Sequence, residues 1–206
     1  MKGVYNNMIK TWAKNFINVG RSNYQVRDNW VKSVLENLPA GLTLLDAGAG
    51  EMKYKPYCKH LKYVSQDFCQ YDGKGNNQGL QIGKWDYKNT DIVCDITNIP
   101  MPDRSFDAIL CTEVFEHISD PILALKEFSR LLKKDGILIL SAPFCSMTHM
   151  APYHYYSGFN KYFYEKYLKE FSFDIIEIST NGNYFEYLAQ ELLRVPSIAE
   201  NILRLR

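Results

Sequence analysis

The stretch Leu44-Leu45-Asp46-Ala47-Gly48-Ala49-Gly50-Glu51 constrains the fold more than any other part of the chain. An apolar run, Leu42-Thr43-Leu44-Leu45, follows a break at Gly41 and reads as a short buried strand. It ends in an acid followed by two glycines. Glycine has no Cβ and enters positive-φ conformations cheaply, so a glycine turn at the carboxyl end of a strand lets the backbone approach a nucleotide-type ligand closely. Many purely structural turns also contain D-x-G-x-G, so the residues downstream of it decide its meaning.

Asp67 closes a second strand-like run, Lys62-Tyr63-Val64-Ser65-Gln66, and lies 21 residues after Asp46 (67 − 46). That is the separation at which a ribose-binding acid follows a glycine loop. Asp95 closes a third run, Asp91-Ile92-Val93-Cys94, where it could accept from an exocyclic adenine amine while Ile96 packs on the ring. Any one of these acids would serve equally as a turn former or helix cap. Three at successive strand ends point to a shared site.

The next segment reads Asp95-Ile96-Thr97-Asn98-Ile99-Pro100-Met101-Pro102-Asp103-Arg104-Ser105-Phe106-Asp107, then Glu113-Val114-Phe115-Glu116-His117, then Leu132-Lys133-Lys134-Asp135-Gly136. With the glycine loop, these motifs make residues 42–144 resemble class I S-adenosylmethionine-dependent methyltransferases, in the branch with an E-V-L-E-H turn. The resemblance implies an α/β fold, a doubly wound, mostly parallel Rossmann-like sheet flanked by helices. It also implies S-adenosylmethionine held by Asp46, Ala47, Gly48, Gly50, Asp67, Phe68, Asp95, Ile96, Thr112, Glu113 and Val114. Two departures stand out. Glu51 and Met52 occupy the place of a third glycine, with Pro56 cutting the following helix short, and Asp135 replaces one glycine of a usual pair while Gly136 keeps the turn.

The chain has 206 residues, room for one domain with a 42–144 cofactor-binding core between N-terminal helices (1–40) and an acceptor-side segment with C-terminal helices (145–206). A formal net charge of +1 gives no electrostatic reason to expect nucleic acid or a membrane surface as partner. Five cysteines without C-x-x-C spacing argue against a disulfide framework or a cysteine zinc site, and Cys94 and Cys111 read as small core residues. No apolar signal core or membrane-length run is visible, so the expected location is the cytoplasm.

Trp12, Phe16, Ile17 and Val19 have helical spacing, and Asp28–Leu38 is a stronger helix that stops at Pro39-Ala40-Gly41. Arg27 reads as a surface residue, with a cofactor carboxylate as its alternative partner. Residues 71–79 form a polar insertion on the cofactor side. Asp120-Pro121 starts a helix with Leu125, Phe128 and Leu132 in its buried stripe, and 137–141 reads as the fifth strand. Asn160–Phe171 reads as a helix, Phe173–Ser179 as a sixth strand, and 184–206 again as helix, with no evident antiparallel seventh strand.

Between Met147 and Tyr167 aromatics crowd one segment that also holds His149 and His154. The resemblance puts an acceptor-binding segment after the fifth strand, so this region is expected to wall the acceptor, with His149 or His154 as base for a hydroxyl; surface histidines are the equal alternative. Glu113, Glu116 and His117 stand at i, i+3 and i+4, one face of a helical turn, and form an alternative metal set; the reading assigns no metal. The expectation is methyl transfer to a small-molecule acceptor, a hydroxyl of a sugar or other metabolite. Its rivals are a metal-assisted RNA methyltransferase and a non-catalytic cofactor-binding protein of the same fold. A nicotinamide dehydrogenase is disfavoured because G-x-G-x-x-G is absent. The acceptor atom and oligomeric state are not legible.

Overall fold

The structure, a computed structural model, describes residues 19–75, 80 and 83–204. The helix expected around Trp12, Phe16 and Ile17 lies outside the described residues, as does part of the 71–79 insertion. The described residues group into two compact units, 34–178 and a smaller one of residues 19–33 and 179–204.

Helix α1 (Asn23–Glu36) crosses the boundary between the units and starts five residues earlier than Asp28 (28 − 23). In the smaller unit, Asn181 Nδ2 donates to Asn23 Oδ1 at 2.7 Å, and a Cβ at Gly20 would run into the backbone of Ala189 and Gln190. The helix expected from Tyr184 onward is present as α4 (Tyr184–Arg204).

The larger unit holds five strands, β1 (Thr43–Ala47), β2 (Lys62–Asp67), β3 (Ile92–Val93), β4 (Phe106–Thr112) and β5 (Leu132–Ser141), in the order β3-β2-β1-β4-β5. Every pair is parallel. This is the expected Rossmann-like sheet. The chain steps outward from β1 through β2 to β3, then returns to the other side of β1 with β4, so a crevice opens at the carboxyl ends of β1 and β4.

Parallel strands covered on both faces read as near-continuous apolar runs, and Leu44, Leu45, Ala108, Ile109, Leu110 and Cys111 are accordingly buried. Helix α2 (Pro121–Leu131) begins as expected. Asp120 caps it by accepting from Leu123 N at 3.0 Å, Pro121 needs no N–H partner in the first turn, and Leu125, Phe128 and Leu131 enter the core. Helix α3 (Lys161–Glu170) is capped by Asn160, whose side chain accepts from Tyr162 N and Phe163 N.

The D-x-S-F-D stretch does structural work. Arg130 bonds Glu127, Asp103 and the carbonyls of Ile99 and Met101, while Glu127 accepts from Ile99 N at 2.7 Å. Asp107 accepts from Thr43 N and pairs with Lys133, tying β4 to β1 and β5.

Two expectations are corrected. β5 begins at Leu132, although the regular ladder with β4 runs over 137–141 as expected, after an irregularity in register. Phe173–Ser179 forms no strand. Phe173 packs on the core, but 174–178 join no strand ladder of the sheet and Ile176 is 89% exposed. Alternating apolar residues encode a strand only where a sheet edge takes up their backbone groups.

Candidate active site

The turn after β1 is built as its glycines require. Gly48 and Gly50 have φ of 76° and 50°, and Gly48 N and Ala49 N both donate to Gln66 O at 2.9 Å, fastening the loop to β2. A Cβ at Gly48 would lie 2.5 Å from Val114 Cγ2, so the first glycine permits contact with the segment after β4. A Cβ at Gly50 would overlap the indole of Trp85. Trp85 comes from the loop between β2 and β3, and Glu51, standing where a third glycine is usual, holds that loop by accepting from Asp86 N at 3.1 Å. The larger residue thus has a structural partner.

Asp46 is buried beneath the loop with its carboxylate accepting from Tyr63 OH at 2.5 Å. Burial, aided by the nearby Asp67 charge, pushes its pKa up to about 7 against the pull of the Tyr63 hydrogen bond. Asp67 is also buried. One of its oxygens accepts from Gly50 N and the other from Cys69 N, both at 2.9 Å, and burial raises its pKa despite these bonds. A carboxylate offers about four lone-pair directions, and with Phe68 N as a third backbone partner about one remains for a ligand hydroxyl.

Asp95 is exposed and accepts from Thr97 N and Thr97 Oγ1, whereas Ile96 lies in the core cluster. Ala47 is buried, and Thr112 ends β4 paired with Ser141. Glu113 turns the chain at a φ of 53° and accepts from Ser141 Oγ at 2.9 Å. Arg27 faces Asp28 and the Tyr24 ring. A groove of about 910 Å³ lined by Glu51, Met52, Lys55, Pro56, Lys59, Asn89, Thr90 and Asp91 contains none of the expected cofactor or acceptor residues.

The one-face arrangement of Glu113, Glu116 and His117 is corrected. Only a short 3-10 turn, Phe115–His117, forms there, and the positive φ of Glu113 precedes it, so the i, i+3, i+4 geometry of an α-helix does not arise. His117 instead meets His149 and His154. Their ring centroids are 4.6, 5.7 and 4.8 Å apart for the pairs 117–149, 117–154 and 149–154. Glu116 is 1% exposed, and its Oε1 lies 3.8 Å from Nε2 of both His117 and His149.

The segment bearing the two later histidines is clamped over this point. Tyr155 N and Tyr156 N donate to Glu116 O, Phe159 N donates to Pro143 O, and the Tyr153 ring stands edge-on to Phe68 at 4.9 Å. The last contact joins the histidine segment to the end of β2. Sequence reasoning singled out all three histidines but not their union, since 32 residues separate His117 from His149 (149 − 117).

Residues 45–140 match the family described as a methyltransferase domain. The match spans the segment from β1 to β5 and supports the resemblance of that segment to class I S-adenosylmethionine-dependent methyltransferases. Among curated proteins this chain is 32% identical over 117 residues to demethylmenaquinone methyltransferase of Thermotoga maritima, covering 55% of this chain and 48% of that one. It is 29% identical over 114 residues to the Mus musculus protein named "Probable tRNA methyltransferase 9B", covering 53% and 24%. It therefore spans half or less of the relatives it matches. A solved Bacillus halodurans chain described as a methyltransferase superposes with a TM-score of 0.53 at 19% identity, covering 73% of this chain and 71% of that one, a likeness of fold. Among the described residues no helix is long and apolar enough to cross a membrane.

Proposed function

We propose that the chain transfers a methyl group from S-adenosylmethionine to a small-molecule acceptor, a hydroxyl of a sugar or other metabolite. The observation that carries this reading is the histidine cluster, linked through the Tyr153–Phe68 contact to the edge that holds Asp67 and the glycine loop. The donor set fits the cofactor. Gly48 and Gly50 keep side chains out of the turn, and the buried Asp67 carboxylate retains acceptor capacity for a ribose hydroxyl. When bound, S-adenosylmethionine supplies the methyl group together with its leaving group. The protein's tasks are then alignment and management of the acceptor's proton. On this reading Asp95 accepts from an adenine amine, and His149 and His154 manage the proton that the acceptor gives up. The relative named for demethylmenaquinone agrees with a metabolite as acceptor, and the one named for tRNA marks the rival.

Incubation with labelled S-adenosylmethionine against a metabolite extract and, separately, total RNA tests the reading. Label in a metabolite fraction supports it. Label in RNA alone would replace the acceptor, and label in neither, with no cofactor binding by calorimetry, would overturn the activity.

A further inference from the structure

We infer that His117, His149 and His154, with Glu116 beside them, form a site for a divalent first-row transition ion of the zinc type. The three imidazoles each place one ring nitrogen within 4.8 Å of the other two. Two of them are already set as ligands. His117 Nδ1 lies 2.5 Å from Tyr153 O and His149 Nδ1 lies 2.9 Å from Met147 O. A carbonyl only accepts, so each Nδ1 carries the proton and each Nε2 presents its lone pair. Donation of the second ring N–H to a backbone carbonyl is the usual means of orienting a metal-bound histidine. Both of these Nε2 atoms point to the same place, 3.8 Å from Glu116 Oε1.

His154 supplies the independent observation. Its two ring nitrogens are both shut off from solvent and neither has a hydrogen-bond partner. A buried imidazole must have at least one donor and one acceptor unanswered in this state, a cost of roughly 1–3 kcal/mol for each polar group. A metal ion would answer the lone pair.

The donor type selects the ion. Three imidazoles suit zinc and its neighbours, whereas magnesium takes oxygen ligands. Three histidines and a fourth, exchangeable position are the pattern of a catalytic zinc site. Bond lengths of about 2.0–2.1 Å put tetrahedral nitrogens about 3.3 Å apart, so binding contracts the present triangle by roughly an ångström, within reach of side-chain rotation. The inference refines the acceptor side of the function proposed above and takes only its location from that reading. A hydroxyl coordinated at the open position would lose its proton to solvent more readily, and its oxygen would then take the methyl group as the carbon–sulfur bond breaks.

The test is calorimetric titration of zinc into chelator-stripped protein lacking any histidine tag, alongside His149→Ala, His154→Ala and the control His60→Ala, whose ring bonds Leu38 O instead. One zinc per chain is expected in the unsubstituted protein and the control, with affinity reduced about 100-fold or more in each cluster variant. Absence of stoichiometric binding, unchanged affinity in both cluster variants, or equal affinity for magnesium would overturn the site. Should a variant fail to fold by circular dichroism, the visible spectrum of the cobalt(II)-loaded unsubstituted protein decides. Intense tetrahedral bands support the site, and a weak octahedral spectrum overturns it. S-Adenosylhomocysteine affinity is measured on the same samples, so loss of the cofactor reading and loss of the metal site are seen separately.

Discussion

At the glycine loop both carboxylate oxygens of Asp67 accept backbone N–H groups, whereas at the histidine cluster both ring nitrogens of His154 are buried with no hydrogen-bond partner. The two regions face the same sheet edge. In the first, the chain answers its own polar groups, with Gln66, Tyr63 and Glu51 fastening the loop and Trp85 lying on Gly50. In the second, backbone carbonyls orient two imidazoles and leave the third unanswered. A loop satisfied from within holds its shape without ligand and gives up little when one arrives. A buried group left unanswered favours a ligand that completes it.

The largest effect expected from this contrast is on turnover. His149→Ala and His154→Ala should leave S-adenosylhomocysteine affinity nearly intact, while at least one lowers methyl transfer by about 10²–10⁴-fold. Full activity in both variants would reduce the aromatic segment to packing. A parallel loss of cofactor affinity would show that the two regions are one.

Next in size is the pH dependence of the ligand-free protein. Asp46 has a folded pKa raised to about 7 from 3.8, so the folded state binds more protons than the unfolded one between these values. Its contribution is full below about pH 4, falls as pH rises through 7, and is flat above, a change on the order of a few kcal/mol. Denaturant unfolding of Asp46→Asn should lack this slope, with the Asn carbonyl still accepting from Tyr63. The same slope in the variant would assign it to another group.

Asp67→Ala should weaken S-adenosylhomocysteine binding by about 1–3 kcal/mol, through a lost ribose hydrogen bond and a loosened Gly50 turn. Asp67→Asn, which keeps one acceptor oxygen, separates the two contributions. Unchanged affinity in calorimetry would remove Asp67 from the site. The smallest effect is expected at the exposed Asp95, where Asn should lose less affinity than Ala because it still accepts from Thr97. The reverse order would sink its adenine role.

Much of this was legible in the chain itself. The strand runs of β1 and β2, the Asp120-Pro121 start of α2 and the helical spacing of α3 follow from local periodicity and capping chemistry, and each formed where its residues pointed. The acids read as strand-end residues do stand at the carboxyl ends of β1 and β2, Asp46 just before the last residue of β1 and Asp67 as the last of β2. The Glu113, Glu116 and His117 grouping misled because it presumed an α-helix. A positive φ at Glu113 sends its carboxylate to Ser141 and leaves His117 facing other partners. Phe173–Ser179 misled for a related reason, since a strand exists only with a neighbour.

The sequence by itself therefore determined the fold family, the glycine turn and the local starts and stops of its helices, because these depend on side chains within a few residues of one another. Only the tertiary structure decided that Trp85 covers Gly50, that Glu51 anchors the loop between β2 and β3, and that His117 meets His149 and His154. Those contacts depend on where the β4 turn and the segment after β5 arrive in space. Parallel strand order and long-range packing set that, and no short-range pattern records it.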